Sequence, residues 1–304
     1  MKRKSAFSIV ELAIVIIIIG LLAGGITAGT KLIRQSKVKT AQKFTKSSPV
    51  WEIYNDQLEQ SVVAWFDALD EDSITYDADT KLVSAWKSKV SPAVDSAEGE
   101  HSATQTTEVN QPLYVRDGMK DFPAIRFAND TSAEEDYLDA KVPLAASDTT
   151  ISVAIAYTAY DKAGADPDNT STAGTPGGTL WFQGSSSATA ANSYDVQADA
   201  TNDIQISDAS SASGDFAINK LTTAVIIVNG TAVSIYRDFG DEQTTTKTSA
   251  ASLARTVSYV GTNAATSGDF FHGDIAEIIV FDKALNSEEA ILVRDYMATK
   301  YRVN

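Results

Sequence analysis

Cysteine is absent from all 304 residues. That removes disulfides, thiol nucleophiles and thiolate metal sites in one step. It leaves the compartment open, because a chain of this length can bury a sufficient core without covalent staples. Histidine is nearly absent as well. His101 and His272 are the only two, they stand in dissimilar contexts, and a His-based catalytic triad is not supported. His272, beside Gly273 at a strand start, reads as a turn or satisfied polar residue. Acidic residues are plentiful, but unevenly placed. Residues 1–46 hold nine Lys/Arg against the single acid Glu11, a net +8, so the remainder carries −23 of the total −15. An acidic body of that kind repels nucleic acid, which excludes it as a partner.

Proline is missing from the first 48 residues, and charge is missing from Leu12 to Thr30. An uncharged stretch of about 20 residues is what a helix needs to cross a bilayer core. A secretory signal would have a shorter apolar run and a small-residue cleavage site. Here the polar helix-forming sequence TKLIRQSKVKTAQKF follows without a break, so a retained helical anchor is the better reading. Lys2, Arg3 and Lys4 precede the span while Lys31, Arg34, Lys37 and Lys39 follow it, and that count sets no orientation. Glu11 is the anomaly: close to the cytoplasmic end of the span, it is either an interfacial carboxylate that reaches water or an acid held within the membrane. An acid within an apolar span usually has a partner, yet no Lys or Arg lies one helical turn away inside the run. Gly20-x-x-x-Gly24 and Gly25-x-x-x-Gly29 would let helices approach closely, or are ordinary membrane glycines. Beyond Lys46, Pro49 disfavours helical geometry at Ser48, and WEIYNDQLEQ reads as a short helix or turn.

A basic leader (MKRKSA), Phe7, a carboxylate four residues on at Glu11 and a long apolar run together resemble the class III signal of type IV pilins and pseudopilins. The resemblance covers the first forty or so residues. It implies cleavage by a prepilin peptidase between Ala6 and Phe7, with Ala6 standing where the family usually has glycine, and methylation of the Phe7 amine. It also gives Glu11 a mate, the Phe7 α-amine of a neighbouring subunit, and it implies other pilin or pseudopilin subunits as partners. The chain then divides into a leader at 1–6, a pilin helix at 7–46 with its span at about 7–30, a linker at 47–60 and a body at 61–304. Before assembly it would sit in a bacterial inner membrane by a single pass, its body periplasmic or extracellular.

After residue 60 the pattern changes to short apolar or alternating runs punctuated by Gly, Asn, Asp, Ser and Pro. SVVAWFDA, FPAIRFA, TTISVAIAYTAY, GTLWFQG, RTVSYVG and FHGDIAEIIVFD read as strands. In AVIIVNGTAVSIY, Asn229-Gly230 between β-branched runs predicts a type I′ hairpin. Repeated strands without intervening helical periods argue for an antiparallel sandwich. The tracts 161–178 and 184–215 read as long surface loops, with Tyr194, Val196, Ile204 and Ile206 suggesting strands inside the second. Asn286-x-x-Glu289 is a capping box opening a last helix, where Ala290, Val293, Met297 and Tyr301 fall near one face.

Several segments of the body resemble bacterial laminin-G-like, concanavalin A-like lectin/glucanase domains. VVAWFDALDEDSITYD with VSAW is similar to their opening unit, NQPLYV with DFPAIRFAND and DYLDA to a middle stretch, and SGDFFHGDIAEIIVFDKALNSEEAILVRDYMATKY to the closing strand and helix. The fold expected is therefore mainly β: a long N-terminal transmembrane α-helix, then a jelly roll of two antiparallel sheets, then a C-terminal amphipathic helix. Trp65, Trp86, Phe127 and Phe281 are expected in the core. The glucanases of this fold carry two acids on one strand in an E-x-D-x-x-E motif, and Asp274-x-x-Glu277 lacks that pattern, so no enzyme is expected. No cofactor is expected except calcium. Oxygen-rich loops suit that ion, and the candidate ligands are Asp70 and Asp72 in one loop and Asp166 and Asp168 in another. Trp181, flanked by glycine-rich loops, is the candidate sugar platform. The function expected is a minor or tip-associated pilin-like subunit displaying an adhesive or glycan-binding domain. The alternatives are a purely structural pseudopilin of a type II secretion machine and an anchored binding protein that never polymerises.

Overall fold

The computed structural model describes residues 9–55, 61–90, 101–128, 135–140, 142, 149–160, 178–184, 193–198, 204–206, 219–248, 257–263 and 270–302. Its first element is a single helix, α1 (Ile9–Lys46), of 38 residues. The helix stops where Pro49 predicts, and a short α2 (Val50–Asn55) follows. From Leu12 to Leu21 the side chains are exposed, Ile14 to Ile19 by 46–61%. Among the described residues no helix is long and apolar enough to cross a membrane. The last turns of α1 are anchored to the body: Ala41 and Thr45 are buried, Gln42 Nε2 donates to the Leu69 carbonyl at 2.9 Å, and Lys37 pairs with Asp121 at 2.5 Å. Trp51 on α2 closes the corner, its indole N–H donating to the Thr45 carbonyl at 2.8 Å and its ring 4.8 Å from that of Trp65.

The described strands, in chain order, are β1 (Val62–Asp67), β2 (Ile74–Tyr76), β3 (Val83–Lys87), β4 (Ser102–Thr104), β5 (Leu113–Met119), β6 (Phe122–Phe127), β7 (Leu138–Ala140) and β8 (Thr150–Ala159). They continue with β9 (Gly178–Gly184), β10 (Tyr194–Ala198), β11 (Ile204–Ile206), β12 (Thr222–Asn229), β13 (Ala232–Arg237), β14 (Gln243–Thr246), β15 (Val257–Val260) and β16 (Gly273–Phe281). They form two eight-stranded sheets. The first runs β14-β13-β12-β8-β16-β6-β5, with β1 also beside β16; the second runs β11-β10-β9-β15-β7-β4-β3-β2. Strand β16 is the hinge of the first sheet: its start pairs with β6 and its end with β1, antiparallel to both.

The two sheets stack face to face, with Trp86, Phe127, Trp181, Tyr157 and Phe271 between them. A second core lies on the other side of the first sheet, where Trp65, Phe122, Ile279 and Phe281 meet residues of α1, α2 and α3 (Ser287–Tyr301). This explains the sequence texture. The central strands of the first sheet, β1, β8, β12 and β16, are covered on both faces and read as largely apolar runs, whereas the edge strand β14 is polar and exposed. In β8, Ile151, Val153 and Ile155 point to the second sheet and Ala154 and Ala156 to the helices. The small alanines let α3 approach closely. All four predicted core aromatics are buried, Trp86 and Phe127 between the sheets, Trp65 and Phe281 under the helices.

The capping box forms as read: Asn286 Oδ1 accepts from the Glu288 and Glu289 amides, and Glu289 accepts from the Asn286 amide. Ala290, Val293, Met297 and Tyr301 are all buried. The hairpin is shifted by one residue. Asn229 pairs with Ala232, so the turn is Gly230-Thr231. Gly230 has φ +63 and Thr231 has no positive φ, the pattern of a type II′ turn with glycine first rather than type I′. Tyr194, Val196, Ile204 and Ile206 lie on β10 and β11 as expected.

Candidate ligand-binding face

Helices cover the centre of the first sheet's outer face; on the outer face of the second, the part around β7 and β15 reaches solvent, while Thr179, Phe182 and Asp195 on β9 and β10 are buried. Strand alternation decides what it displays. In β7, Leu138 and Ala140 turn inward, so Asp139 turns out; in β15, Val260 turns inward and Tyr259 out. Registers then align a row across the strands: Ala85, Thr104, Asp139, Tyr259, Phe182 and Asp195 are successive cross-strand neighbours. Such neighbours are within side-chain contact.

The centre of the row is aromatic. Tyr259 stacks with Phe182 at 6.2 Å and meets Tyr137 edge-on at 5.8 Å, and Tyr137 lies 6.4 Å from Phe270. Tyr137, Tyr259 and Phe270 are half-buried, Phe182 is buried, and Asp139 is exposed. Burial first, then the Asp139 carboxylate and Tyr137, push the Tyr259 hydroxyl above its usual range, so at neutral pH it remains an O–H donor. At one end of the row Asp195 is held by Thr179 Oγ1 (2.8 Å), Gln197 Nε2 (2.8 Å) and Asn263 Nδ2 (3.1 Å). Flat apolar rings flanked by fixed oxygens and amides are the lining that recognises a ligand with both C–H faces and hydroxyls.

The residues singled out from sequence fare differently. Trp181 is fully buried between the sheets. Its inward register opposite Val260 and Val196 removes it as a surface platform. Asp70 is paired with Lys89, and the neighbouring Glu71 accepts from Tyr76 and Arg116, the Tyr76 hydroxyl above all lowering its pKa. Asp72 is exposed beside them. The charge that would hold calcium there is thus already countered, and among the described residues no group of three or more His, Cys, Asp or Glu is arranged for a metal. Asp166, Asp168, Ala6 and Phe7 lie outside the described residues, as do the side chain of Glu11 and the surroundings of Gly24 and Gly25. Gly20 and Gly29 are described, and a Cβ at either would meet nothing within 4 Å. No sequence signal had marked Tyr137, Asp139, Tyr259 or Asp195, because their alternation becomes informative only once the covered sheet is known.

Domain 4 of the arabinanase AbnA of Geobacillus stearothermophilus, solved with arabinotriose, aligns with 14% identity and a TM-score of 0.41, over 77% of this chain and 98% of its own. The CBM40 of the IT-sialidase of Ruminococcus gnavus, bound to α2,3-sialyllactose, aligns with 11% identity and a TM-score of 0.37, over 49% and 83%. A Trypanosoma rangeli sialidase aligns with 12% identity and a TM-score of 0.40, over 79% and 33%. No curated protein matches the chain in sequence. The family model that does match spans residues 132–290, more than half of the chain and inclusive of Tyr137, Phe182, Tyr259 and Phe270, and on that match the chain belongs to the concanavalin A-like lectin/glucanases superfamily.

Proposed function

We propose that the protein is a pilin-like filament subunit whose lectin-like sandwich presents the Tyr137–Tyr259–Phe270 face to a glycan. The observation that carries the reading is one helix with two kinds of surface. Its last turns are fixed to the body through Ala41, Gln42 and Thr45, while Leu12–Leu21, Ile26, Leu32 and Ile33 stand exposed. Apolar surface on that scale is a liability for a free monomer and marks a site of membrane or protein contact. At 1.5 Å per residue α1 is about 57 Å long, so its exposed turns have the length to pack in a helical bundle. The N-terminal pattern of Phe7 and Glu11 favours the bundle of a filament over a solitary anchor. In the body, sugar C–H faces would lie on Tyr259 and Tyr137, with Asp139 accepting from hydroxyls. This reading assigns no catalytic step.

Sheared surface fractions, probed for this chain and sequenced by mass spectrometry, test the filament half. A mature N-methyl-Phe7 terminus in filaments is expected, and an uncut Met1 terminus would overturn it. Recovery in a secretion apparatus instead of surface filaments would select the structural pseudopilin. An oligosaccharide array probed with the purified chain tests the glycan half, which fails if no sugar binds above a Tyr259→Ala control.

A further inference from the structure

Where α1, β1, β16 and α3 meet, three charged groups are sealed together. Lys300 and Asp67 are each 1% exposed and Glu277 is 0%. An irregularity in β16 between Ile275 and Glu277 shifts the alternation and turns Glu277 toward the helices. Lys300 Nζ lies 2.8 Å from Glu277 Oε2 and 3.1 Å from Asp67 Oδ2. Glu277 Oε1 accepts from Trp65 Nε1 at 2.7 Å and from the Tyr296 hydroxyl at 2.9 Å. Asp67 Oδ1 accepts from the Leu69 amide at 3.0 Å, and Oδ2 from the Thr45 hydroxyl at 3.1 Å. The neighbouring cation Lys89 stays 3.9 Å from Asp67 Oδ2 and is shared with Asp70.

Sequestering an amine and two carboxyls from water is costly as a set of charges. It is also the arrangement that makes amide formation between them feasible, since the reactants are pre-positioned and water is excluded. We propose that Lys300 and Asp67 condense to an intramolecular isopeptide bond, with Glu277 as the proton carrier. The Glu277 carboxylate takes one proton from the Lys300 ammonium and passes it to Oδ2 of Asp67, which leaves a neutral amine facing a neutral carboxyl. The freed amine attacks Cγ of Asp67, forming the N–C bond, and the negative charge developing on Oδ1 is met by the Leu69 N–H. Glu277 then relays the second proton from nitrogen to Oδ2. The Cγ–Oδ2 bond breaks, Oδ2 leaves as water, and Glu277 returns to its starting state. An ammonium and a carboxylate thus become an amide and one water, with no oxidant or reductant. Burial raises the Glu277 pKa, with Asp67 reinforcing and Lys300 opposing, which suits a group that must hold a proton in mid-reaction. Asp67 is the electrophile because a backbone amide stands on its oxyanion position, whereas Oε1 of Glu277 is held by two side chains. The bond would join residues 233 apart and lock the first strand of the body to its last helix.

Intact-mass and tryptic peptide analysis of the purified full chain decides the matter. The expected result is a deficit of one water, no tryptic cleavage after Lys300, and a branched peptide whose fragments join Asp67 to Lys300. Linear peptides carrying Asp67 and a free Lys300 amine, cleaved normally, would overturn the proposal and leave a buried ion pair. In Glu277→Gln the branched peptide should vanish with both reactants still present. Its persistence would remove Glu277 from the role of proton carrier. Should that variant fail to fold, the wild-type spectrum is decisive alone.

Discussion

Lys300 Nζ and Glu277 Oε2 stand 2.8 Å apart with neither side chain exposed to solvent. The C-terminal helix is therefore seated on the central strand by a charge contact inside an apolar layer, not by apolar packing alone. Replacing Lys300 by Met keeps the length of the side chain, removes both the ion pair and any bond to Asp67, and leaves Glu277 without a cation and Asp67 with Lys89 alone, 3.9 Å away. Removing one partner of a buried pair costs about 3–5 kcal/mol. Urea unfolding of the full chain should show an unfolding free energy lower by that amount, and a change under 1 kcal/mol would mean that water reaches the network.

The same pocket gives stability a pH dependence with a definite sign. Glu277 titrates higher in the folded state than its ordinary 4.5, chiefly because burial disfavours its charge. The folded chain then binds more protons than the unfolded chain between those two values. Its contribution is fully present below pH 4.5 and is lost as pH rises through the folded value. Glu277→Gln keeps an oxygen for Trp65 Nε1 and the Tyr296 hydroxyl while removing the titration. Unfolding free energy against pH should therefore be flatter above pH 4.5 in the variant, and identical slopes in the two proteins would refute the assignment.

On the open face, Tyr259→Ala removes the ring that links Phe182 to Tyr137 and leaves the inward neighbours Ser258 and Val260 in place. Loss of one aromatic anchor at a contact surface costs about 1–2 kcal/mol, roughly tenfold in affinity. Binding to whichever oligosaccharide the array identifies should weaken by that factor, with the melting temperature changed by only a few degrees. Asp139→Asn, which keeps the shape and removes the charge, should weaken binding less. A variant that binds normally would move the glycan site off this face.

Much of the fold was legible because local signals agreed with the tertiary outcome. Asn286 and Glu289 sit at a helix start that the rest of the chain also requires, and the apolar run of β16 is apolar because two layers cover it. The hairpin slipped by one residue since Asn-Gly can occupy two registers, and only pairing with β8 and β13 selects Gly230-Thr231. Trp181 was legible as an aromatic among glycines but not as inward-facing, because the direction of a side chain depends on which face of a sheet is free. The Asp67–Glu277–Lys300 contact was invisible for a different reason. Its members come from both ends of the body, and nothing in the sequence neighbourhood of Lys300 marks it as the buried lysine.

The N-terminal pattern yields the remaining test. If the chain is cut before Phe7, a new α-amine appears four residues from Glu11, and in a packed bundle the two charges would belong to neighbouring subunits. An apolar side chain at position 11 does not hinder insertion of a helix into lipid, since it removes a polar residue from an apolar run. It does leave the neighbour's amine without a counter-charge on assembly, at about 3 kcal/mol or more, above a hundredfold in the assembly equilibrium. Glu11→Val should accordingly fractionate with the membrane at wild-type levels and be depleted from sheared filaments, both quantified by immunoblot. Glu11→Asp, which keeps the charge at shorter reach, should recover part of the loss. Equal incorporation of Glu11→Val and wild type would show that position 11 takes no part in assembly, and would leave the exposed apolar side chains of α1 as the whole of the contact.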